Sequence, residues 1–239
     1  MAFDYNGSTS ANSIPDITGL STFSVVFSLY ADTVAGNDFV FAADNFPTSP
    51  REAVLFNVEV VGPSTPGFEV YVDGTGDKAS ASGALTGSAW HTAVCRRTGA
   101  TVECYIDGAS IGSITVGTGT VDLSNIRFGC HYFSSSNQQF FNGRFAQFGL
   151  YNIDIGTAGV ASYEATKNPM FYRPDALLRY IPAIRDKTEL ITGATISDIG
   201  SPGVAAHVPA MFPTPPATGL AAAAASNPTH RNLLTLGCG

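Results

Sequence analysis

Residues 90–108 read WHTAVCRRTGATVECYIDG, and this stretch has the pattern of a β-hairpin. Two runs rich in Val, Ile, Thr and aromatic residues lie on either side of Gly99-Ala100, and such runs bounded by turn residues predict strands. Asp107-Gly108, a dipeptide typical of tight hairpin turns, ends the second run. The stretch therefore predicts two antiparallel strands followed directly by another turn.

A two-residue turn at Gly99-Ala100 also predicts the register of this hairpin. It places Cys95 opposite Cys104 and Arg96 opposite Glu103. An ion pair between Arg96 and Glu103 is therefore expected on the more solvent-exposed face of the hairpin. Two interpretations of the cysteine pair stay open: a cross-strand disulfide, or two reduced thiols buried as small apolar groups. No C-x-x-C pair occurs among the four cysteines, which argues against a zinc knuckle or a redox motif; they are Cys95, Cys104, Cys130 and Cys238.

Short alternating or apolar runs continue on both sides of the hairpin, separated by Gly, Pro, Asn, Asp and Ser. Many short strands at this spacing predict an all-β fold, an antiparallel β-sandwich of the jelly-roll kind. Because strands do not alternate with helices, the dinucleotide-binding classes are excluded. The predicted strands cover 22–31, 38–43, 52–61, 67–73, 89–97, 101–107, 110–116, 123–130 and 139–152.

The pattern changes after the last of these strands, which suggests three parts. Residues 1–156 form the sandwich, and 157–209 add a short helix at 157–167 and short strands at 177–183 and 189–196 that pack on it. Residues 210–239 form an irregular Pro- and Ala-rich C-terminal arm, since no charged side chain occurs from Ile199 to His230. We expect this arm to mediate assembly by burying the apolar side chains of Met211, Phe212, Leu233 and Leu234.

Composition and charge exclude several classes of protein. Twelve Lys and Arg against nineteen Asp and Glu give a formal charge of −7, so the chain cannot neutralise many phosphates and is not expected to bind nucleic acid. It has no apolar run of about 18 residues, which argues against a membrane helix. Hydrophobic residues make up 44%, too many for a disordered chain. The start, MAFDYNGSTS, has no signal-peptide pattern, so no secretion is expected.

Several of these segments together resemble a known family. The segments 90–94 and 102–108 are similar to the central hairpin of laminin-G-like and pentraxin-like domains, which are concanavalin A-like jelly rolls. Residues 3–7 (FDYNG) resemble the opening strand of such domains, and 141–152 resemble their closing strand. The resemblance covers about residues 1–152 and implies the same sandwich fold.

The segment that follows, 168–209, is similar to the extension after such a domain in bacteriophage and prophage virion proteins. Ile181 and Ala206 depart from the Tyr-Trp-Pro and Ala-Asp-His-Pro patterns of those relatives. The resemblance implies a structural virion protein, either a capsid decoration (cement) protein or a head-fibre component assembled through its arm. Other virion subunits are then the expected partners, in a homo-oligomer for which a trimer is favoured.

The alternative function is a host-surface glycan-binding module on the virion. Sugar sites on jelly rolls commonly combine an aromatic platform with loop amides and carboxylates, and residues 130–139 have that composition. The candidate ligand-binding residues are Tyr132, Phe133, Asn137 and Gln138. A purely structural interpretation is a polar hairpin loop with both aromatic rings packed inward. Residues 44–47 (DNFP) form a second candidate segment with the same ambiguity.

A polysaccharide-degrading enzyme is the least favoured function, and we expect no catalytic residues. The Glu-x-Asp-x-x-Glu strand of laminarinase-like relatives is missing. Along a strand, Glu69 and Asp73, or Glu103 and Asp107, would lie about 13 Å apart, whereas glycosidase carboxyls lie about 5–9.5 Å apart. The four histidines are scattered; His91 is interpreted as structural, and His131 as either a ligand contact or a solvated loop residue.

Cofactors are not expected, and calcium is the one alternative that the resemblance implies. Laminin-G-like and pentraxin-like relatives often bind calcium through loop carboxylates and carbonyls. The chain has candidate oxygen donors, but no D-x-[DN]-x-[DN]-G loop organises them, and turn chemistry explains most of them without a metal. These donors are Asp32, Asp38, Asp44, Asp73, Asp77 and Asp107.

Overall fold

The computed structural model describes residues 2–59, 65–182 and 189–205, which form an antiparallel β-sandwich with one helix. The fold class predicted from the sequence is therefore confirmed. The strands are β1 (Ala2–Asn6), β2 (Ala11–Ser13), β3 (Ile17–Leu20), β4 (Phe23–Ala31), β5 (Phe39–Asp44), β6 (Ala53–Asn57), β7 (Gly67–Val72), β8 (Thr75–Ser80), β9 (Trp90–Thr98), β10 (Thr101–Ile106), β11 (Ala109–Thr115), β12 (Val121–Leu123), β13 (Arg127–Phe128), β14 (His131–Phe133), β15 (Ser136–Gln138), β16 (Asn142–Tyr151), β17 (Leu177–Ile181), β18 (Ser197–Ile199) and β19 (Gly203–Ala205).

Two large sheets form the layers of the sandwich. The eight-stranded sheet has the order β11-β10-β9-β4-β16-β1-β19, with β17 paired to the second half of β16. The seven-stranded sheet has the order β18-β2-β13-β5-β6-β7-β8. Two small pairs, β12 with β3 and β14 with β15, lie outside these sheets. Non-sequential neighbours such as β4 and β16 give the crossed connections of a jelly roll.

Phenylalanine rings from both sheets fill the space between the layers. Phe27 on β4 lies 5.3 Å from the ring of Phe56 and 5.5 Å from that of Phe145, measured between centroids. Phe41 and Phe68 approach the same ring at 6.0 and 6.2 Å. All five are fully buried, so this cluster is the centre of the hydrophobic core.

The hairpin at 90–108 has the predicted register. Cys104 pairs with Cys95, and Glu103 pairs with Arg96, with which it also forms an ion pair. Asp107 and Gly108 both have positive φ, at 50° and 73°, as a tight hairpin turn of this type requires. Both cysteines are buried free thiols, and so is Cys130. Cys238 lies outside the described residues.

The helix α1 (Gly156–Thr166) lies within one residue of its predicted range and packs on the outer face of the eight-stranded sheet. Its Tyr163 is buried beside Val26 of β4 in a second apolar cluster, and its hydroxyl lies 3.0 Å from that of Ser28. This cover explains why β4 is buried on both faces. Two 3₁₀ turns follow, at Pro169–Phe171 and Pro174–Ala176. No helix in the described part of the chain is long and apolar enough to cross a membrane.

The strand predicted at 189–196 is wrong. The strand predicted at 177–183 is confirmed by β17. Residues 190–192 form a turn because the buried Glu189 carboxylate accepts the backbone N–H groups of Ile191 and Thr192, both at 2.7 Å. Gly193 then has a φ of 71°. The structure adds β18 and β19, which join the two large sheets. The predicted arm at 210–239 lies outside the described residues.

Candidate functional site

A cleft of about 380 Å³ opens on the face of the seven-stranded sheet that points away from the core. Side chains of β6 alternate: Val54 and Phe56 enter the core, whereas Leu55 and Asn57 line the cleft. A β-bulge between Phe39 and Phe41 turns the Phe39 ring outward as well. The lining residues are Asn37, Phe39, Arg51, Leu55, Asn57, Glu59, Glu69, Lys78, His131, Phe133, Gln138 and Gln139.

The predicted glycan-binding segment forms a hairpin of β14 and β15 that divides the four candidate residues between two faces. Tyr132 pairs with Asn137, and both point away from the cleft towards Arg127, whose guanidinium lies 5.0 Å from the Tyr132 ring centre. Phe133 and Gln138 line the cleft. Because side chains alternate along a strand, two neighbours in sequence cannot share this face.

An aromatic edge borders the cleft and joins the two segments that the sequence singled out separately. The Phe133 ring stacks on Phe46, with centroids 4.2 Å apart and an interplanar angle of 13°. The His131 ring lies 5.4 Å from that of Phe133 and 4.6 Å from that of Phe39, measured between centroids. His131 is only 4% exposed, so its interpretation as a solvated loop histidine is wrong.

A buried carboxylate fixes the charged side of the cleft. Asp44, which is 1% exposed, accepts a hydrogen bond from Arg51 Nη2 at 2.8 Å, and its Oδ2 lies 3.1 Å from His131 Nε2. Burial raises the pKa of Asp44, but the hydrogen bonds with His131 and Arg51 outweigh it and hold that pKa below its ordinary value. Arg51 Nη1 donates to Glu69 Oε1 at 3.1 Å, so one guanidinium bridges two carboxylates.

Side-chain amides supply uncharged polar groups. Asn57 donates to Asn37 Oδ1 and accepts the backbone N–H of Glu59 at 2.6 Å, so it is an internal brace. Gln138 Nε2 donates to the Phe133 carbonyl at 3.0 Å. Within the described ranges, the Asn37 amide nitrogen, the Gln138 amide oxygen and the Gln139 amide have no protein partner. These groups can donate hydrogen bonds to a bound molecule or accept them from it.

The remaining sequence candidates lie elsewhere and are occupied by internal contacts. His91 Nδ1 lies 2.6 Å from Asp107 Oδ2, and the backbone N–H of Thr86 donates to Nε2 at 3.1 Å, as expected for a structural residue. Burial lowers the pKa of His91, but the Asp107 carboxylate outweighs burial and raises it overall. Glu103 is ion-paired with Arg96, away from the cleft.

The aspartates proposed as calcium donors do not converge. Asp44 and Asp107 contact His131 and His91, and Asp73 accepts the backbone N–H of Gly119 at 3.0 Å. Over residues 2–59, 65–182 and 189–205, no three His, Cys, Asp or Glu side chains form a group that could hold a metal ion. The six aspartates therefore do not form one cluster, and both the lack of a cofactor and the calcium alternative remain predictions.

The family described as the concanavalin A-like lectin/glucanases superfamily matches residues 4–161, about two thirds of the chain. The protein belongs to this family, which confirms the resemblance to laminin-G-like and pentraxin-like domains. Comparison with curated protein sequences gives no match.

Solved structures with the same fold are distant in sequence. A SAP-like pentraxin from Limulus polyphemus is 11% identical with a TM-score of 0.58, over 84% of this chain and 94% of the pentraxin. A putative carbohydrate-binding protein from Bacteroides ovatus is 12% identical with a TM-score of 0.59, over 84% and 60%. Domain 4 of an arabinanase from Geobacillus stearothermophilus, in complex with arabinotriose, is 12% identical with a TM-score of 0.52, over 67% and 75%. At these identities the likeness shows the fold alone.

Proposed function

We propose that this protein is a glycan-binding module and that the cleft beside Phe133 is its binding site. The observation that carries the proposal is the aromatic edge next to free amide groups on one concave surface. Sugars present apolar C–H faces and hydroxyl groups, and sites that combine aromatic side chains with a few placed polar groups suit such molecules. The likeness to the putative carbohydrate-binding protein from Bacteroides ovatus and to the arabinotriose-bound domain supports this choice.

The two faces of the β14–β15 hairpin provide a matched test. Phe133→Ala removes the aromatic platform and is expected to weaken glycan binding about 10- to 100-fold, from the loss of one buried aromatic contact. Tyr132→Ala alters the neighbouring ring on the opposite face and is expected to leave affinity within about twofold. A broad glycan array selects the ligand, and calorimetric titration measures both variants against it.

Thermal melting of both variants shows whether the fold is kept. Binding that vanishes with Tyr132→Ala but survives Phe133→Ala would place the site on the other face and contradict this proposal. An array without any bound glycan would remove the glycan-binding function altogether. Incubation of the bound glycan with the protein tests the further expectation that it is held without being cleaved.

We propose a virion as the place of action, with assembly through residues 210–239. This second proposal is supported by the resemblance of 168–209 to phage virion proteins and by the uncharged stretch 199–230. Light scattering is expected to give an oligomer, with a trimer favoured, for the full chain and a monomer after removal of 210–239. Unchanged circular dichroism of the shortened protein is the control. A full chain that is already monomeric would contradict assembly through the arm.

A further inference from the structure

We propose that the cleft selects uncharged glycans over carboxylated or sulfated ones, and that Glu59 is the side chain that determines this specificity. The inference rests on the proposed function, because it names the class of glycan that the same cleft would take. It is carried by the pairing of charges within the cleft.

Both cations that line the cleft are already paired. Arg51 uses Nη2 for Asp44, at 2.8 Å, and Nη1 for Glu69, at 3.1 Å, while its guanidinium lies 4.5 Å from the Tyr71 ring centre. Lys78 Nζ lies 3.4 Å from the other Glu69 oxygen. An anionic ligand that contacts Arg51 or Lys78 would do so beside the carboxylates of Asp44 and Glu69, whose negative charges offset the attraction.

Two further carboxylates belong to Glu59, which lines the cleft, and to Asp38, which lies near it. Glu59 accepts the Gly36 backbone N–H with Oε2 at 2.8 Å, and Asp38 lies close enough for the Glu59 charge to help burial raise the Asp38 pKa. Neither forms an ion pair with any described residue, and the neighbouring segment 60–64 (VVGPS) contains no cationic residue. The cations of the lining, Arg51 and Lys78, are offset by Asp44 and Glu69, which leaves Glu59 as a lining carboxylate that no described cation offsets.

This imbalance has opposite effects on charged and uncharged ligands. A sugar hydroxyl can donate to the Glu59 oxygen that Gly36 leaves free, which strengthens binding. A sugar carboxylate or sulfate would instead bring a like charge to the same place, and unfavourable like-charge contacts are a general means of rejecting a wrong partner. Glu59 therefore favours one class of glycan and repels the other.

The experiment compares matched pairs of oligosaccharides on the array and in titration, such as N-acetyllactosamine with its α2,3-sialylated form and an α1,4-linked galactotriose with the corresponding trigalacturonate. We expect the bound glycans to be uncharged and their acidic counterparts to bind at least about tenfold more weakly. Glu59→Gln is expected to reduce this ratio several-fold, mainly by strengthening acidic binding. The control Asp32→Asn removes an equal charge from an exposed loop outside the cleft and should leave the ratio unchanged.

Salt adds a readout that a steric role for Glu59 would not give. The ratio in the unaltered protein should fall as ionic strength rises, because added salt screens exposed charges. Preferential binding of acidic glycans would overturn this inference while supporting the proposed function. A ratio that Glu59→Gln does not alter would overturn the role of Glu59. If no glycan binds at all, the proposed function fails, and this inference fails with it.

Discussion

Arg97→Ala is expected to lower the free energy of unfolding by about 2–5 kcal/mol, among the largest effects of any single substitution in this chain. The Arg97 side chain is 0% exposed and faces the core side of β9. Its guanidinium donates to four backbone carbonyls, those of Leu20, Gly99, Gly117 and Gly119, at 2.6–3.2 Å. Removing it leaves the Leu20 carbonyl without this donor in a buried place, takes the donor from the three partly buried carbonyls, and opens a cavity.

Urea denaturation at pH 7 measures this loss. Arg97→Lys is the informative companion, because its ammonium has three donors and cannot serve four carbonyls arranged around a planar group. We expect it to recover only part of the stability. Arg173→Ala, at an exposed ion pair with Asp175, serves as a control with no measurable shift of the midpoint. An Arg97→Ala protein as stable as the unaltered one would contradict this account of the four carbonyls.

Asp44→Asn is expected to cost about 2–4 kcal/mol of stability at pH 7, because it leaves Arg51 half-buried without its main partner. It also loosens the charged side of the cleft, so weaker glycan binding is expected as well. The folded-state pKa of Asp44 is lowered, so its contribution is fully present above the unfolded-state pKa of about 4 and is lost as the pH falls through the folded-state value.

Thermal melting from pH 7 down to about pH 3 tests the loss of stability and its pH dependence. The difference in melting temperature between Asp44→Asn and the unaltered protein should be constant near neutrality and shrink below about pH 4. Asp32→Asn, which removes an exposed carboxylate with no described ion pair, is the matched control. A difference that persists unchanged at low pH would show that the stabilisation does not depend on the charge of Asp44.

The register of the hairpin at 90–108 could be predicted from local sequence, because the register of a hairpin is determined by its own turn. The pairings of Cys95 with Cys104 and of Arg96 with Glu103 follow from the Gly99-Ala100 turn alone. The same register contains a further signal, at Arg97. Arg97 faces Val102, an inward position, and a charged residue at such a position indicates a buried hydrogen-bonding role.

The cleft could be predicted only in pieces, since its parts come from distant segments. Composition identified both the segment with Phe133 and the one with Phe46, but the stacking of these rings depends on the three-dimensional fold. Composition also selects Tyr132 and Asn137, because it does not reflect the alternation of side chains along a strand. The outward turn of Phe39 depends on a bulge, and nothing in the sequence around it marks that bulge.

The short segment from β18 to β19 has a mechanical consequence for everything that follows it in the chain. β18 pairs with β2 in one sheet and β19 pairs with β1 in the other, and they are joined at Gly200, where a Cβ would lie 2.2 Å from the Thr9 carbonyl oxygen. A pull on the chain beyond residue 205 is therefore carried first by the three-residue ladder of β19 and then by that of β18. We expect a force applied from the C-terminal side to detach β19 from β1 first and β18 from β2 second. The Phe27 cluster between the two sheets would be disrupted last.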